Sequence, residues 1–225
     1  MTQFLYIDLE TIPAQSEDAR SRVAATVKPP GTMKKADTIA AWEKDGRPQA
    51  VEDAIAKTSF NGAYGHVCCI GWAFDDEPVR SLIWPRDVES EAAAIHTFKT
   101  IVESKTNFPP VIVGHNVAEF DIRFLWQRAM VLGIRMPAWF PRAPKPWDRE
   151  VFDTMTAFAG ARNTVSMDTL CAAFGIPCKE DMDGSKVAGA WANGEYERIA
   201  AYCRADVDRT RSIHRKMLVA YGEAA

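Results

Sequence analysis

Residues 4–13 read FLYIDLETIP, an apolar run that ends in two acidic residues separated by one leucine. The first part, from Phe4 to Ile7, has the composition of a buried β-strand. Side chains two residues apart in a strand lie on the same face, so Asp8 and Glu10 should point in the same direction. Two adjacent carboxylates at a buried strand end repel each other and lose hydration. The segment contains no lysine or arginine that would offset this cost.

The bulk composition is that of a globular protein and narrows the function only slightly. The chain has 225 residues, of which 47% are hydrophobic and 25% are charged, which is compatible with one domain and a sizeable core. The formal net charge of −3 indicates no general affinity for nucleic acid or membranes, so an anionic substrate would need local cations. The sequence shows no signal-peptide pattern and no long apolar span, which predicts a soluble, cytoplasmic protein without a membrane partner.

The cysteines favour free thiols over a disulfide framework or a structural zinc site. Their number is odd, and none of them forms a C-x-x-C pair: Cys68, Cys69, Cys171, Cys178 and Cys203. Buried thiols in a reducing compartment are the simplest interpretation of this pattern.

The hydrophobic pattern along the chain predicts an α/β protein. Strands are predicted from short apolar runs at 4–9, 66–74, 79–84, 111–113 and 151–155. Helices are predicted from apolar residues at helical spacing at 89–103, from Ile122 to Leu132 before Gly133, and at about 195–221. Residues 14–62 are predicted to be an insertion of loop and helix, with helical stretches at 37–43 and 49–57. This order is typical of one domain, 1–225, with a mixed central sheet flanked by helices.

Two further acidic residues occupy positions where a site would need them. Asp121 follows GHNVAEF at a predicted strand-to-helix junction, where ligands of α/β folds gather. Asp206 shares a helix face with Tyr202 and with apolar residues, so it should point inward and need a partner. A pair of Mg²⁺ or Mn²⁺ ions about 3.5–4 Å apart would neutralise the carboxylates and suit hydrolysis of a phosphodiester. Tyr202 could then orient the attacking water.

Three motifs, in this order, resemble the DEDD superfamily of 3′–5′ exonucleases, which have a ribonuclease H-like fold. The first is DLET at residues 8–11, the second is N-x-x-x-F-D at 116–121, and the third is Y-x-x-x-D at 202–206. The tyrosine resembles the DEDDy branch, because the histidine branch would carry His where this chain has Ala201. More narrowly, the chain is similar to stand-alone bacterial and phage proteins related to the proofreading exonuclease domain of family B DNA polymerases.

The resemblance implies a role for each motif residue. Those implied to bind two divalent ions, Mg²⁺ or Mn²⁺, are Asp8, Glu10, Asp121 and Asp206, with Asp8 shared between the ions. Tyr202 would position the attacking water. The residues implied to contact the 3′-terminal nucleotide are Leu9, Thr11, Asn116 and Phe120. The implied reaction releases 5′-mononucleotides from the 3′ end of DNA, with a preference for single strands or frayed ends.

Two alternatives remain open from the sequence. The same chemistry could act on RNA, as in relatives of the ribonuclease D type, because no residue reveals how the 2′-hydroxyl would be treated. A module that retains the fold and holds a nucleic-acid end without cutting is the second alternative. The intact acids and Tyr202 argue against a binding module.

Polar residues outside the motifs carry weaker predictions. His115 is predicted to be structural or at the edge of the site rather than a metal ligand. Asp208 lies about 200° around the last helix from the motif aspartate and is predicted to be solvated, whereas Asp153 is a reserve candidate. Residues 136–149 mix aromatic and basic side chains, which could stack bases along a single strand or pack on the core. Residues 179–186 are predicted to form a loop, which could alternatively flank the substrate groove.

Overall fold

A five-stranded mixed sheet forms the centre of the structure, a computed structural model that describes residues 2–105, 108–145, 147–178 and 181–223. The strands are β1 (Phe4–Ile12), β2 (His66–Phe74), β3 (Arg80–Ile83), β4 (Val111–Gly114) and β5 (Val151–Asp153). Their order across the sheet is β3-β2-β1-β4-β5. β2 pairs antiparallel with both β1 and β3, whereas β4 pairs parallel with both β1 and β5. The predicted α/β class with a mixed sheet is therefore confirmed.

Helices cover both faces of this sheet. They are α1 (Glu17–Thr26), α2 (Ala36–Ala41), α3 (Arg47–Ala56), α4 (Glu91–Lys105), α5 (Asp121–Leu132), α6 (Thr154–Ala159), α7 (Met167–Phe174), α8 (Val187–Ala192) and α9 (Tyr196–Tyr221). Shorter turns are a π-helix at Trp42–Gly46 and 3₁₀ turns at Lys57–Phe60 and Gly184–Lys186. Within the described ranges, no helix has the length and apolar character needed to cross a bilayer.

Strand β1 divides the core because alternate side chains point to opposite faces. Leu5, Ile7 and Leu9 belong to the apolar cluster that includes residues of α4 and α5. Tyr6 and Ile12, on the other face, belong to clusters that include residues of α9. The two acids of β1 therefore lie on the α9 side, at the point where the apolar face is interrupted.

Most predicted elements are confirmed, with corrections at their ends. β1 continues past the predicted end at residue 9 to Ile12, with a register shift after Glu10. The strand predicted at 151–155 ends at Asp153, because this side chain caps α6 by accepting hydrogen bonds from the amides of Met155 and Thr156. Gly133 ends α5 in the left-handed conformation, as its position in the sequence predicted.

The insertion at 14–62 contains more helix than the sequence predicted. Helix α1 was expected to be loop, but Ser16 caps it by accepting a hydrogen bond from the amide of Ala19. The insertion leaves and rejoins the sheet at one place, because the amide of Ala14 donates to Thr58 Oγ1 over 2.8 Å. Close by, Thr11 Oγ1 donates to the carbonyl of Ser59 over 2.7 Å. The end of the insertion is therefore attached directly to β1.

A buried ion pair joins α4, α5 and the start of β2. Arg128 donates from Nε and Nη2 to the two carboxylate oxygens of Glu91, each over 2.7 Å. The Glu91 carboxylate also accepts from the amide of Val67 and contacts His66 Nδ1. Burial alone would raise the pKa of Glu91, but the hydrogen bonds from His66 and Arg128 and the Arg128 charge outweigh it and lower the pKa. The negative charge is thus fully compensated inside the protein.

Candidate active site

Carboxylates from all three sequence motifs come together around Asp8 and Glu10 of β1, where their charges influence one another. Glu10 is 7% exposed, Asp121 is 3% exposed and Asp206 is 8% exposed, so these side chains are almost completely removed from water. Asp121, at the start of α5, accepts a hydrogen bond from the backbone amide of Leu9 over 2.9 Å. This bond fixes the second motif directly to the first. The structure thus brings together acids that lie more than a hundred residues apart in the sequence.

The charges in this cluster repel one another. Burial, followed by the negative charge of Asp206, raises the pKa of Asp8 to about 8. Burial, followed by the charges of Asp8 and Asp206, raises the pKa of Glu10 well above its ordinary value. The pKa of Asp121 is also raised, by burial and then by Asp8. Without a cation, the cluster therefore retains protons that isolated carboxylates would lose at neutral pH.

The donor set fits hard divalent cations. Oxygen atoms of Asp8 and Glu10 lie within 4.8 Å of each other and of Cys203 Sγ. Asp8 Oδ2 is buried and has no hydrogen-bond partner within the described part of the chain. This carboxylate oxygen is available as a ligand and lies beside other buried carboxylates. Mg²⁺ and Mn²⁺ take oxygen ligands, so the cluster fits either ion. Asp8, Glu10, Asp121 and Asp206 are the residues that could hold such ions.

Gly71 allows α9 to reach this position. It lies opposite Asp8 in β2, and a Cβ atom there would come within 2.8 Å of Cys203 Sγ and 3.2 Å of the Cys203 carbonyl oxygen. Only a glycine leaves room for the helix backbone at this distance from the sheet. Gly71 was not predicted to be important from the sequence. Its signal was a glycine inside the otherwise apolar strand HVCCIGWAF.

Arg209 is a second residue that sequence reasoning missed. Its Nη1 donates to Asp206 Oδ1 over 2.6 Å from one helical turn further along α9. Arg209 is 9% exposed, so this ion pair is shielded from water. It compensates part of the negative charge at the Asp206 end of the cluster, and its charge also lowers the pKa of Asp8 without offsetting the other causes. The signal in the sequence was its i+3 spacing from the motif aspartate.

Tyr202 lies one turn before Asp206 and is half-buried beside the acids. Burial raises the pKa of its phenol, and the charges of Asp206, Glu10 and Asp8 raise it further, as does a hydrogen bond with Asp206. A phenol with a raised pKa keeps its proton at neutral pH. This environment favours a role in orienting a water molecule over removal of its proton.

The residues predicted to contact a 3′ end differ in how much of each side chain is free to meet a substrate. Leu9 is 4% exposed and packs in the core, so little of its side chain faces outward. Phe120 is half-buried and makes ring contacts with Phe60 and Phe124. The Thr11 hydroxyl donates to the Ser59 carbonyl, which leaves only its oxygen to accept a further bond. Asn116 is half-buried with a left-handed backbone (φ 60°). Their contacts with a substrate stay predictions.

Asp153 and His115 organise the loop after β4. Asp153, the reserve candidate, accepts hydrogen bonds from the amides of Asn116 and Ala118 in addition to capping α6. Its oxygens are thus committed to the backbone. His115 engages both ring nitrogens, with Thr154 Oγ1 and with the carbonyl of Val165, each over 3.0 Å. His115 is therefore structural, in agreement with the sequence prediction.

Asp208 on α9 is exposed and pairs with Arg211. This agrees with the prediction that Asp208 is solvated. In the segment 136–149, Trp139 and Phe140 pack on the core, which favours a structural role for this part. Trp147 is 78% exposed. Pro146 of this segment lies outside the described residues, as do Lys179 and Glu180 of the predicted loop at 179–186.

The chain is similar in sequence to several known proteins. A family model described as "Predicted 3'-5' exonuclease related to the exonuclease domain of PolB" matches residues 66–224, which contain the second and third motifs. A DNA polymerase of Pyrococcus glycovorans is 28% identical over 177 residues, which is 68% of this chain and 22% of the polymerase. A DNA polymerase of Thermococcus sp. (strain GE8) is 27% identical over 171 residues, which is 66% of this chain and 10% of the polymerase.

A solved structure shows the fold. The family B DNA polymerase from the hyperthermophilic archaeon Pyrobaculum calidifontis is similar with a TM-score of 0.58 and 16% sequence identity, over 97% of this chain and 25% of that chain. The ribonuclease H-like fold predicted from the motifs is therefore confirmed. The chain spans a quarter or less of the length of these polymerases.

Proposed function

This chain belongs to the family of predicted 3′–5′ exonucleases related to the exonuclease domain of PolB, and from that premise we propose that it is a metal-dependent 3′–5′ exonuclease. The substrate is DNA with a single-stranded or frayed 3′ end, and the products are 5′-mononucleotides. The chain works as one exonuclease domain, 1–225, in which residues 14–62 are an insertion after the first strand.

One observation carries this proposal: carboxylates from β1, α5 and α9 meet, and burial together with the charges of neighbouring acids raises the pKa values of Asp8, Glu10 and Asp121. A structural cluster would be expected to supply its own cations, as Arg128 does for Glu91. Strongly raised pKa values in a group of converging acids are instead typical of functional sites. The cluster has the oxygen ligands that two divalent ions would need to act on a phosphodiester.

The residues divide the work of hydrolysis. When bound, Mg²⁺ or Mn²⁺ ions supply Lewis-acid stabilisation of the phosphoryl oxygens and activation of water. Asp8 and Glu10 would hold the ions from β1, and Asp121 and Asp206 would hold them from α5 and α9. Tyr202, still protonated, hydrogen-bonds the attacking water and aims it at the phosphorus. Leu9, Thr11, Asn116 and Phe120 hold the terminal nucleotide in line.

DNA is favoured over RNA by the comparisons, because the related proteins are named DNA polymerases. The acidic net charge of −3 also favours a short contact at a strand end over binding along a duplex, since extended contacts with phosphates need many cations. Hydrolysis of RNA is the alternative that a direct comparison of substrates would reveal.

The decisive experiment follows a 5′-labelled single-stranded oligonucleotide with Mg²⁺ or Mn²⁺. A ladder that shortens from the 3′ end, and that disappears in EDTA, is expected. Asp206→Ala should remove the ladder, whereas Asp208→Ala, an exposed aspartate on the same helix, should leave it unchanged. A matched RNA strand should be shortened more slowly. Absence of shortening, or equal shortening in EDTA, would refute the proposal.

A further inference from the structure

Phe60 is a large apolar side chain that stands in solvent beside the candidate active site. Its side chain is 73% exposed, although it is a phenylalanine at the end of the insertion. Its ring contacts the ring of Phe120 edge-on, with centroids 6.4 Å apart and an angle of 61° between the planes. Phe120 immediately precedes Asp121, one of the converging acids. The exposed ring of Phe60 therefore contacts the residue that is next in sequence to one of the converging acids.

The backbone that carries this ring is held on both sides. Before Phe60, Thr58 Oγ1 accepts from the amide of Ala14 and donates to the carbonyl of Ile55 over 2.6 Å. After Phe60, the amide of Gly62 donates to Gln127 Oε1, and its carbonyl accepts from Arg128 Nη1, each over 2.8 Å. Exposure of a ring on a mobile loop would not indicate a binding role. Here the ring is exposed while its attachment to the fold is fixed.

A cleft opens next to Phe60. It has a volume of about 370 Å³ and lies between the end of β1, the 3₁₀ turn Lys57–Phe60 and residues 184–188. Thr11, which follows Glu10, lines this cleft together with Phe60. The charged residues in its lining are Lys57 and Asp53, whose charges cancel. A cleft with an aromatic wall and no net charge suits a nucleobase better than a phosphate, which the metal cluster would attract.

We propose that Phe60 is a substrate-binding residue whose ring stacks on a base at the 3′ end of the bound strand. The assignment rests on the proposed exonuclease function and gives the insertion a role, because the insertion places this ring beside Phe120. Every nucleobase has a π-face, so stacking on an exposed aromatic ring holds a strand without selecting its sequence. The occupant of the cleft is therefore a base of any identity within the last two nucleotides.

Steady-state kinetics on a single-stranded oligonucleotide test this role. Phe60→Ala should raise KM about tenfold with little change in kcat, the order of effect expected from loss of one base–aromatic stack. Phe60→Trp should restore the wild-type KM. Phe60→Leu keeps an apolar contact with Phe120 but lacks the π-face, so it should behave like Phe60→Ala. The matched control is Phe158→Ala, which removes another exposed ring, 54% exposed and in edge contact with Phe174.

A substrate with abasic sites at its last two positions separates stacking from a purely structural role. The wild-type protein should bind this abasic substrate more weakly than the normal oligonucleotide. Phe60→Ala should bind the two substrates equally, because it already lacks the stacking ring. Binding in EDTA gives a readout without cleavage: the wild-type protein should change the fluorescence of 2-aminopurine at the 3′ end, and Phe60→Ala should not.

Three results would overturn the assignment: an unchanged KM in Phe60→Ala, an equal rise in KM in Phe158→Ala, or an equal abasic penalty in wild type and Phe60→Ala. Failure of the underlying function would look different. In that case the wild-type protein itself would leave the oligonucleotide intact, which overturns both proposals together.

Discussion

Glu91 and Glu10 are two glutamates with nearly equal burial, at 5% and 7% exposure, whose surroundings treat a negative charge in opposite ways. Glu91 is bonded to Arg128, His66 and the amide of Val67, and its pKa is lowered despite burial. Glu10 is surrounded by other acids, and its pKa is raised by burial and by their charges. The first site stabilises an ionised carboxylate, whereas the second opposes it.

The difference separates structure from function. At Glu91 the protein supplies every partner that the carboxylate needs, so nothing from outside is required. At Glu10 the folded chain maintains an unfavourable arrangement of charges, which a stable fold would not retain without use. Burial by itself therefore does not distinguish the functional glutamate from the structural one. The direction of the pKa shift, taken together with the hydrogen-bond and charge partners of each carboxylate, distinguishes them.

Removal of one acid from the unfavourable cluster should have the largest effect on activity. Glu10→Gln keeps the shape of the side chain but removes a charged metal ligand. It should lower kcat/KM on a single-stranded oligonucleotide by about 10³-fold, because bound metal supplies several kcal/mol of transition-state stabilisation. The melting temperature in EDTA should not fall, since the variant relieves repulsion. Cleavage within tenfold of wild type would contradict a metal role for Glu10.

Removal of the cation at the compensated site should act on stability instead. Arg128→Met leaves the Glu91 carboxylate buried without its main partner and should destabilise the protein by about 3–5 kcal/mol. Arg123→Met, a change on the same helix as Arg128, removes an exposed ion pair with Glu119 and should cost about 0–1 kcal/mol. Urea denaturation of both variants measures the difference. An equal loss of unfolding free energy in the two variants would mean that the buried ion pair stabilises the protein no more than the exposed one.

The close approach of α9 to the sheet keeps the acids together, and Gly71→Ala tests it. The added Cβ would meet Cys203 Sγ at 2.8 Å, so overpacking should cost about 1–3 kcal/mol and shift Asp206 relative to Asp8. Gly189→Ala is the control, because no atom lies within 4 Å of the new Cβ, and it should stabilise α8 by about 0.5–1 kcal/mol. Thermal denaturation and cleavage assays should show Gly71→Ala losing both stability and activity. Full activity in this variant would contradict the role of the glycine.

The smallest effects should appear in the pH dependence of stability in EDTA, with opposite signs at the two sites. The pKa of Glu91 is lowered by folding, so its contribution is present above its unfolded pKa of 4.5 and is lost as the pH falls. The pKa of Asp8 is raised from 3.8 to about 8, so its contribution is present at low pH and is lost as the pH rises through about 8.

Thermal denaturation across this pH range distinguishes the two contributions. Asp8→Asn should flatten the decline in melting temperature as the pH rises toward about 8, and Glu91→Gln should flatten the decline as the pH falls below about 4.5. Each effect should amount to a few degrees, about what 1 kcal/mol produces at this chain length. Mn²⁺ should raise the melting temperature more near about pH 8 than near about pH 6, because metal replaces protons. The same shift at both pH values would contradict metal binding by these carboxylates.

Local patterns were sufficient to predict much of the fold. The strand at His66–Phe74 was predicted without error, because its apolar run is bounded by glycine on one side and by a turn on the other. The end of α5 followed from Gly133, whose left-handed backbone closes the helix. Helix α1 was missed because its apolar residues are few, and its evidence lies in the Ser16 cap instead.

The site was predictable where chemistry and periodicity coincide within one segment. Period-two alternation places Asp8 beside Glu10, and one helical turn places Tyr202 beside Asp206. The contribution of Gly71 and the proposed contribution of Phe60 depend on elements that are distant in the sequence, whereas Arg209 pairs with Asp206 within one helix. A glycine inside a strand does not reveal which helix will approach it, and an exposed ring does not reveal which cleft it will border. Such information exists only after the chain has folded.

The hydrogen bond between Ala14 and Thr58 has a consequence for protein engineering. The chain departs from the sheet and returns to it close to one point, because the amide of Ala14 donates to Thr58 Oγ1. Doubling the length of such a loop adds only about 0.6 kcal/mol of closure entropy. We therefore expect that the insertion can be lengthened while the carboxylates stay in place, provided that the bond between Ala14 and Thr58 and the following Ser59–Phe60 pair are kept.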